Sequence, residues 1–243
     1  MIESPQNEKL KLVRKLRERK HREREGLFAT EGEDLVEAGL AAGAEPRFLL
    51  TAAGAGLGGE EVEPELLASV SALGSGTRAI AVWEERWAET AESPCLYLHG
   101  VADPGNVGAI VRSADALIGG SVALGPGCAD PFSPKAVRAS MGSVFSQPLL
   151  RCEVTATPAP RAALAAHAGA GLEALAGTAT LCLGAEREGL PAAVLSECRS
   201  TVTIPLRKGA AESLNVAAAA AIACQRVAAA QGISSPVMPE AQN

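Results

Sequence analysis

A chain of 243 residues, 47% hydrophobic and 21% charged, has room for one large or two modest domains and is too apolar to be disordered. The net charge of −6 excludes a uniformly basic nucleic-acid coat, although the distribution of charge matters more than its sum. Charges and glycines break every apolar run before about 18 residues, which excludes a membrane-spanning helix. The charged N-terminus lacks the apolar core of a signal peptide, so a cytoplasmic protein is expected.

In chain order, Lys9 to Arg24 comes first. It carries Lys9, Lys11, Arg14, Lys15, Arg17, Arg19, Lys20, Arg22 and Arg24 against Glu18 and Glu23. Leu10, Val13 and Leu16 fall at helical spacing and would anchor one face of a helix. A solvated amphipathic helix gives this pattern, and so does a helix that meets phosphate through Arg14, Arg17, Arg19, Lys20 and Arg22. Phe28 and Ala29 then suggest a short strand, Glu31 to Ala42 a helix stopped by Gly43, and Arg47 to Thr51 a second strand. The glycine-rich run Ala52 to Glu61 is a surface loop; Glu60 and Glu61 stand where a dinucleotide site would receive phosphate. Pro64 to Leu73 suggests a helix and Arg78 to Trp83 a strand. The polar stretch from Trp83 to Pro94 is the natural linker, closing a small α/β unit over residues 1–92.

From Cys95 strands and helices alternate. Strands are predicted over Cys95–Gly100, Ser121–Gly125, Ser146–Arg151, Leu172–Gly177, Ala179–Glu186 and Ser200–Leu206. Helices are predicted within Val101–Gly120, Pro126–Phe145 and Pro160–Gly169, with an alanine-rich helix after a cap at Glu212–Ser213. Alternation of this kind implies an α/β fold: a mainly parallel sheet flanked by helices, here over residues 93–232, with 233–243 as a loose tail. The six cysteines have no C-x-x-C spacing and no nearby His pair, which argues for reduced packing residues and against zinc or a disulfide framework.

Three loops at strand ends stand out. Asp103-Pro104-Gly105-Asn106-Val107-Gly108 opens a helix carrying Arg112. Leu183 to Leu190 is an acidic turn bounded by Gly184 and Gly189. Ser213-Leu214-Asn215 precedes the last helix and offers more polar groups than a cap requires. Ligands collect at the carboxyl ends of parallel strands, so the three could share one pocket.

These three stretches, DPGNVGAIVRSADA, LGAEREGLP and IPL…ESLNVAAAAAIA, resemble in order the signature motifs of the SpoU-type branch of the SPOUT RNA 2′-O-ribose methyltransferases. The resemblance spans roughly Cys95 to Ala230. Residues 1–92 are similar to the L30e-like substrate-binding domain of rRNA-directed members. The resemblance implies a C-terminal trefoil knot, a rare exception to unknotted folding, and a homodimer whose sites are completed across the interface. Ala217 to Ala221 would permit close helix packing there. It also implies S-adenosylmethionine as cofactor, held near Leu183, Gly184, Ile204, Leu206 and Leu214. Arg112 would act on the ribose hydroxyl, Asn106 would orient Arg112 or the ribose, and Glu186, Ser213 and Asn215 would shape the loops and position the substrate. Arg138 would reach an RNA phosphate. Two departures bear on the cofactor loops: Arg187 stands where the family often has glycine, and the third loop is one residue longer between Leu206 and Ser213. The implied reaction is methylation of a ribose 2′-hydroxyl, with 23S rRNA as the expected substrate. A tRNA methyltransferase and a non-catalytic RNA-binding protein that keeps the knot are the alternatives. A nicotinamide oxidoreductase lacks its G-x-G-x-x-G unit, and a serine hydrolase its G-x-S-x-G elbow.

Overall fold

The computed structural model describes residues 1–72, 76–167, 169–207, 209, 212–230 and 232. The basic N-terminal run forms two helices, α1 (Glu8–Lys15) and α2 (Arg19–Glu25), instead of the single helix expected. Leu10, Val13 and Leu16 are all buried, as their spacing requires. The break falls where α1 closes at Leu16, and α2 ends on Gly26 in the left-handed region that glycine tolerates.

Strands β1 (Leu27–Glu31), β2 (Phe48–Ala52), β3 (Glu60–Val62) and β4 (Ala79–Glu84) form a sheet in the order β1-β4-β2-β3. Helices α3 (Glu33–Ala41) and α4 (Pro64–Val70) complete this unit. β3 begins within the run expected to be a loop; it is recruited by parallel pairing with β2, which no local pattern announces. Alternation along β4 sets the layers. Ile80 and Val82 face a core shared with α1 and α4, whereas Ala79, Ala81 and Trp83 face a core continuous with the rest of the chain.

The second sheet is parallel throughout, in the order β10-β8-β9-β5-β6-β7. Its strands are β5 (Cys95–Leu98), β6 (Ser121–Leu124), β7 (Leu149–Arg151), β8 (Arg161–Leu164), β9 (Thr180–Leu183) and β10 (Ser200–Val202). Helices α5 (Pro104–Leu117), α6 (Pro134–Ser140), α7 (Ala192–Leu195) and α8 (Val216–Ala230) connect and cover them. β5, β6 and β9 are buried along their full length, the signature of strands covered on both faces.

Two segments reverse their predicted type. Arg161–Leu164 is the strand β8, not a helix: Ala162 and Ala163 are fully buried between β9 and β10, so sheet pairing overrides alanine's helical preference. Leu172–Leu175 is a 3-10 turn, not a strand; it sits between Gly171 and Gly177 and packs against α8. The last strand also ends earlier, at Val202. The expected tail, Ile233 to Asn243, lies outside the described residues.

Where the two sheets meet, most of the few aromatic rings gather: Phe28, Trp83, Trp87, Phe132 and Phe145 stack edge to face or tilted. A buried ion pair crosses the same seam. Arg22 on α2 gives Nε and Nη2 to Asp130 Oδ2, at 2.8 and 2.7 Å, and Nη1 to the carbonyls of Leu16 and Arg17. Arg22 therefore does not face RNA, contrary to expectation. With 3% of its surface exposed, it fastens the α1–α2 corner to the second sheet. All six cysteines are free thiols, and burial pushes Cys95 and Cys224 up to about 12, consistent with packing residues.

Candidate active site

The chain lays down β5, then β6 and β7 to one side, and returns to place β8 and β9 on the other. The order therefore reverses between β5 and β9, and their carboxyl ends diverge there to leave a crevice. The loops after these two strands are the first and second motifs.

In the first, Asp103 caps α5 by accepting from the N–H groups of Gly105 (2.6 Å) and Asn106 (3.1 Å). Its other oxygen pairs with Lys135 at 2.7 Å, and this contact, with the two backbone donors, holds the carboxyl below its ordinary range. Gly108 admits α6: a β-carbon there would lie 2.2 Å from the Ala136 carbonyl oxygen. In the second motif, Ala185 and Gly189 exchange backbone hydrogen bonds to close a tight turn. A β-carbon on Gly184 would sit 2.2 Å from the Gly189 carbonyl carbon, so only glycine fits. Arg187 falls at the exposed tip of this turn, where its bulk is absorbed without disturbing the closure.

The third motif supplies the decisive contact. Asn215, and not Glu212 or Ser213, caps α8: its Oδ1 accepts from Ala217 N at 2.9 Å and Ala218 N at 3.3 Å. Its Nδ2 donates to Asn106 Oδ1 at 3.0 Å and lies 3.5 Å from Glu186 Oε1, while Asn106 Nδ2 also donates to Glu186 Oε1. Residues 109 positions apart in the chain thus close one hydrogen-bonded triangle. Asn106, Glu186 and Asn215, one from each motif, are the sequence-predicted residues that the fold brings together.

Beside the triangle opens a cavity of about 540 Å³, within the range of small-molecule sites. Leu183, Gly184, Ile204, Leu206 and Leu214 all line it, as does Ser213. So do Leu190, the last residue of the second motif, and Leu164 to His167 and Leu195, which the sequence reading missed. Leu164 to His167 lie within a segment read as helix, which hid another strand end; the polar His167 after the apolar run was the available signal. Arg112 stands apart. It lies six residues beyond Asn106 on α5, about 9 Å along the axis and on another face. It is exposed and, among the described residues, has no hydrogen-bond or ion-pair partner. Arg138 on α6 is likewise exposed. Arg14, Arg17, Arg19 and Lys20 remain at the surface of the first unit, engaged with Ser69, the Val70 carbonyl, Glu23 and Glu18 respectively.

Residues 93–225 match the SpoU rRNA Methylase family. The chain belongs to that family. Residues 7–93 match the MRM3-like substrate binding domain. The chain is 32% identical over 241 residues to the 23S rRNA (guanosine(2553)-2'-O)-methyltransferase RlmP of Bacillus subtilis (strain 168), covering 91% of this chain and 96% of that one. Among solved structures, a putative RNA methyltransferase of the TrmH family from Porphyromonas gingivalis superposes with a TM-score of 0.80 at 33% identity, covering 93% and 98% of the two chains. The AdoMet-bound rRNA methyltransferase from Sinorhizobium meliloti superposes with a TM-score of 0.83 at 26% identity, covering 96% and 98%.

The cavity suits that cofactor. Leucine and isoleucine walls would accept an adenine, and the Glu186, Glu188 and Glu212 carboxylates that line it, against the Arg187 guanidinium, would favour a sulfonium cation.

Proposed function

We propose that this chain is an S-adenosylmethionine-dependent methyltransferase acting on a ribose 2′-hydroxyl of rRNA, most specifically 23S rRNA. The observation that carries the reading is the Asn106–Glu186–Asn215 triangle beside an apolar cavity with acidic residues in its lining. Bound there, S-adenosylmethionine would supply an electrophilic methyl group, held by Leu183, Gly184, Ile204, Leu206 and Leu214. The chain's own residues then have two tasks: to present the sugar and to manage its proton.

A ribose hydroxyl is a weak nucleophile, so charge must be stabilised on its oxygen as the proton leaves. A guanidinium does not lose its own proton at working pH. Arg112 therefore serves as an electrostatic partner to the developing alkoxide, with a phosphate as its second ligand, and not as a base. Asn106 and Asn215 fix the Glu186 carboxylate, while Ser213 sits at the cavity wall to position substrate. Arg112 faces away from its own triangle, which supports a homodimer in which it serves the partner's cavity. The exposed Ile222 and the small residues of α8 suit the contact. Arg14, Arg17, Arg19, Lys20 and Arg138 would grip RNA, with residues 1–92 acting as the L30e-like recognition domain, 93–232 as the catalytic domain and 233–243 as a tail. The trefoil knot fits the path of the chain: β10 lies at the sheet edge, yet α8 packs against α5 near its centre, and Ile204, Leu206 and Leu214 between them line the cavity beside the residues that follow β8 and β9. Among the described residues no helix is long and apolar enough to cross a membrane, and the cytoplasm is the proposed setting.

The test is to incubate unmodified 23S rRNA with the protein and S-adenosylmethionine and to map 2′-O-methyl groups. One new methylated ribose, lost in Arg112→Ala, is the expected result. Methylation confined to tRNA would move the substrate, and donor binding without transfer to any RNA would reduce the protein to a binding module.

A further inference from the structure

A second cavity of about 540 Å³ opens where α2 faces the carboxyl ends of β6 and β7. Its walls are Arg19, the loop from Leu124 to Ala129, and Arg151 to Glu153. A single layer of close-packed backbone divides it from the crevice already described. Gly127 leaves room for Gly100, to whose Cα a β-carbon on Gly127 would come within 3.1 Å, and Gly100 packs on Ala185, the neighbour of Glu186. The two cavities are therefore neighbours, and an RNA strand held at the triangle would have to cross only this glycine junction to place an adjacent nucleotide here.

The charges decide what it can hold. Arg19 and Arg151 are both bonded to Glu23, at 2.8 and 3.4 Å, and Glu153 also lines the wall. Two guanidiniums and two carboxylates cancel, so the cavity offers little to a phosphate. It offers more to a flat neutral ring. The Arg151 guanidinium is held 4.5 Å over the Trp87 ring, which is itself braced edge-on by Phe132. An arginine plane fixed in this way stacks readily on an unpaired base. The peptide N–H groups of Gly127 and Cys128 donate to no backbone or side-chain acceptor among the described residues and are free to read a base edge. The Arg22–Asp130 pair holds α2 against this loop, so the cavity is preformed.

Building on the RNA methyltransferase reading above, we propose that this cavity receives a nucleobase splayed from the RNA next to the methylated nucleotide, stacked on the Trp87-backed plane of Arg151. This makes Arg151 a specificity-determining residue. Lysine keeps the charge but not the plane, so Arg151→Ala and Arg151→Lys should behave alike.

The test uses full-length protein and 23S rRNA transcript, with RNA affinity measured across a salt series and S-adenosylmethionine affinity measured separately. Both variants should bind RNA about 10-fold more weakly with wild-type cofactor affinity, and the slope of affinity against salt should not change. An abasic site at one position within two nucleotides of the methylated ribose should weaken wild type and leave Arg151→Ala unaffected. A wild-type affinity in Arg151→Lys, a salt slope reduced by about one, or no abasic position that cancels the difference would each overturn the proposal. Wild-type protein that methylates rRNA normally while Arg151→Ala is unchanged would overturn this inference alone; wild-type protein inert on every RNA would overturn the reading beneath it.

Discussion

At the seam between the sheets, Arg22 commits its guanidinium to Asp130 and two carbonyls and is withdrawn from water; on α5, Arg112 is exposed and has no partner among the described residues. Both lie in stretches that a sequence reader would assign to RNA. The difference shows how environment divides one residue type between two duties. A buried, paired arginine fixes the shape of the molecule, and an exposed one without a partner is available to a substrate. The same contrast separates the aromatic seam, closed by ring contacts, from the cavity beside the triangle, whose Leu206 and Leu214 remain partly open to solvent.

Breaking the seam should have the largest effect. Arg22→Ala leaves Asp130 buried and unpaired, and a loss of about 3–5 kcal/mol is expected in urea unfolding, with methyl transfer per folded molecule largely kept at saturating RNA. If that variant is as stable as wild type but inactive, the division of duties is wrong. Arg112→Ala should do the opposite: the rate of single-turnover methyl transfer should fall about 10²–10³-fold, with the unfolding midpoint unchanged.

Asn215 sharpens the comparison because it has both duties. Asn215→Ala should cost about 1 kcal/mol through the lost α8 cap and also slow methyl transfer. Asn215→Asp keeps the cap but sets a second carboxylate beside Glu186, so stability should recover while transfer remains slow. Equal activity in the two variants and wild type would remove the triangle from the mechanism.

The smallest effect is expected at Glu85, on the seam. Burial raises its carboxyl above the ordinary range, only partly offset by the hydrogen bond from Trp87, with Asp130 nearby raising it further. Because the folded value lies above the unfolded one, its favourable contribution is complete below the unfolded pKa and is lost as pH climbs through the folded pKa. Glu85→Gln should therefore gain stability relative to wild type near neutral pH, and the gain should vanish on acidification into the carboxylate range. A gain independent of pH in urea titrations would point to packing instead of charge.

Much of the site was legible in the chain because its parts are local. Asp103, Gly105 and Gly108 announce a capped helix pressed against another, and Gly184 with Gly189 announces a closed turn; each requirement acts within a few residues. The Leu164–His167 wall was illegible for the opposite reason. Ala162 and Ala163 favour a helix on their own, and only the flanking strands make them extended. β3 was lost in the same way, and the cap of α8 was displaced by two residues because the Asn215 amide could satisfy the helix and Asn106 together.

By itself, then, the amino-acid order determined the α/β alternation, the three polar loops and the chemistry their side chains could perform, since propensity, capping and hydrophobic period act over short distances. Tertiary structure alone decided which arginines meet solvent and which strand ends share a cavity. Burial and charge pairing depend on neighbours a hundred residues away, as Arg22 and Asp130 are at a separation of 108.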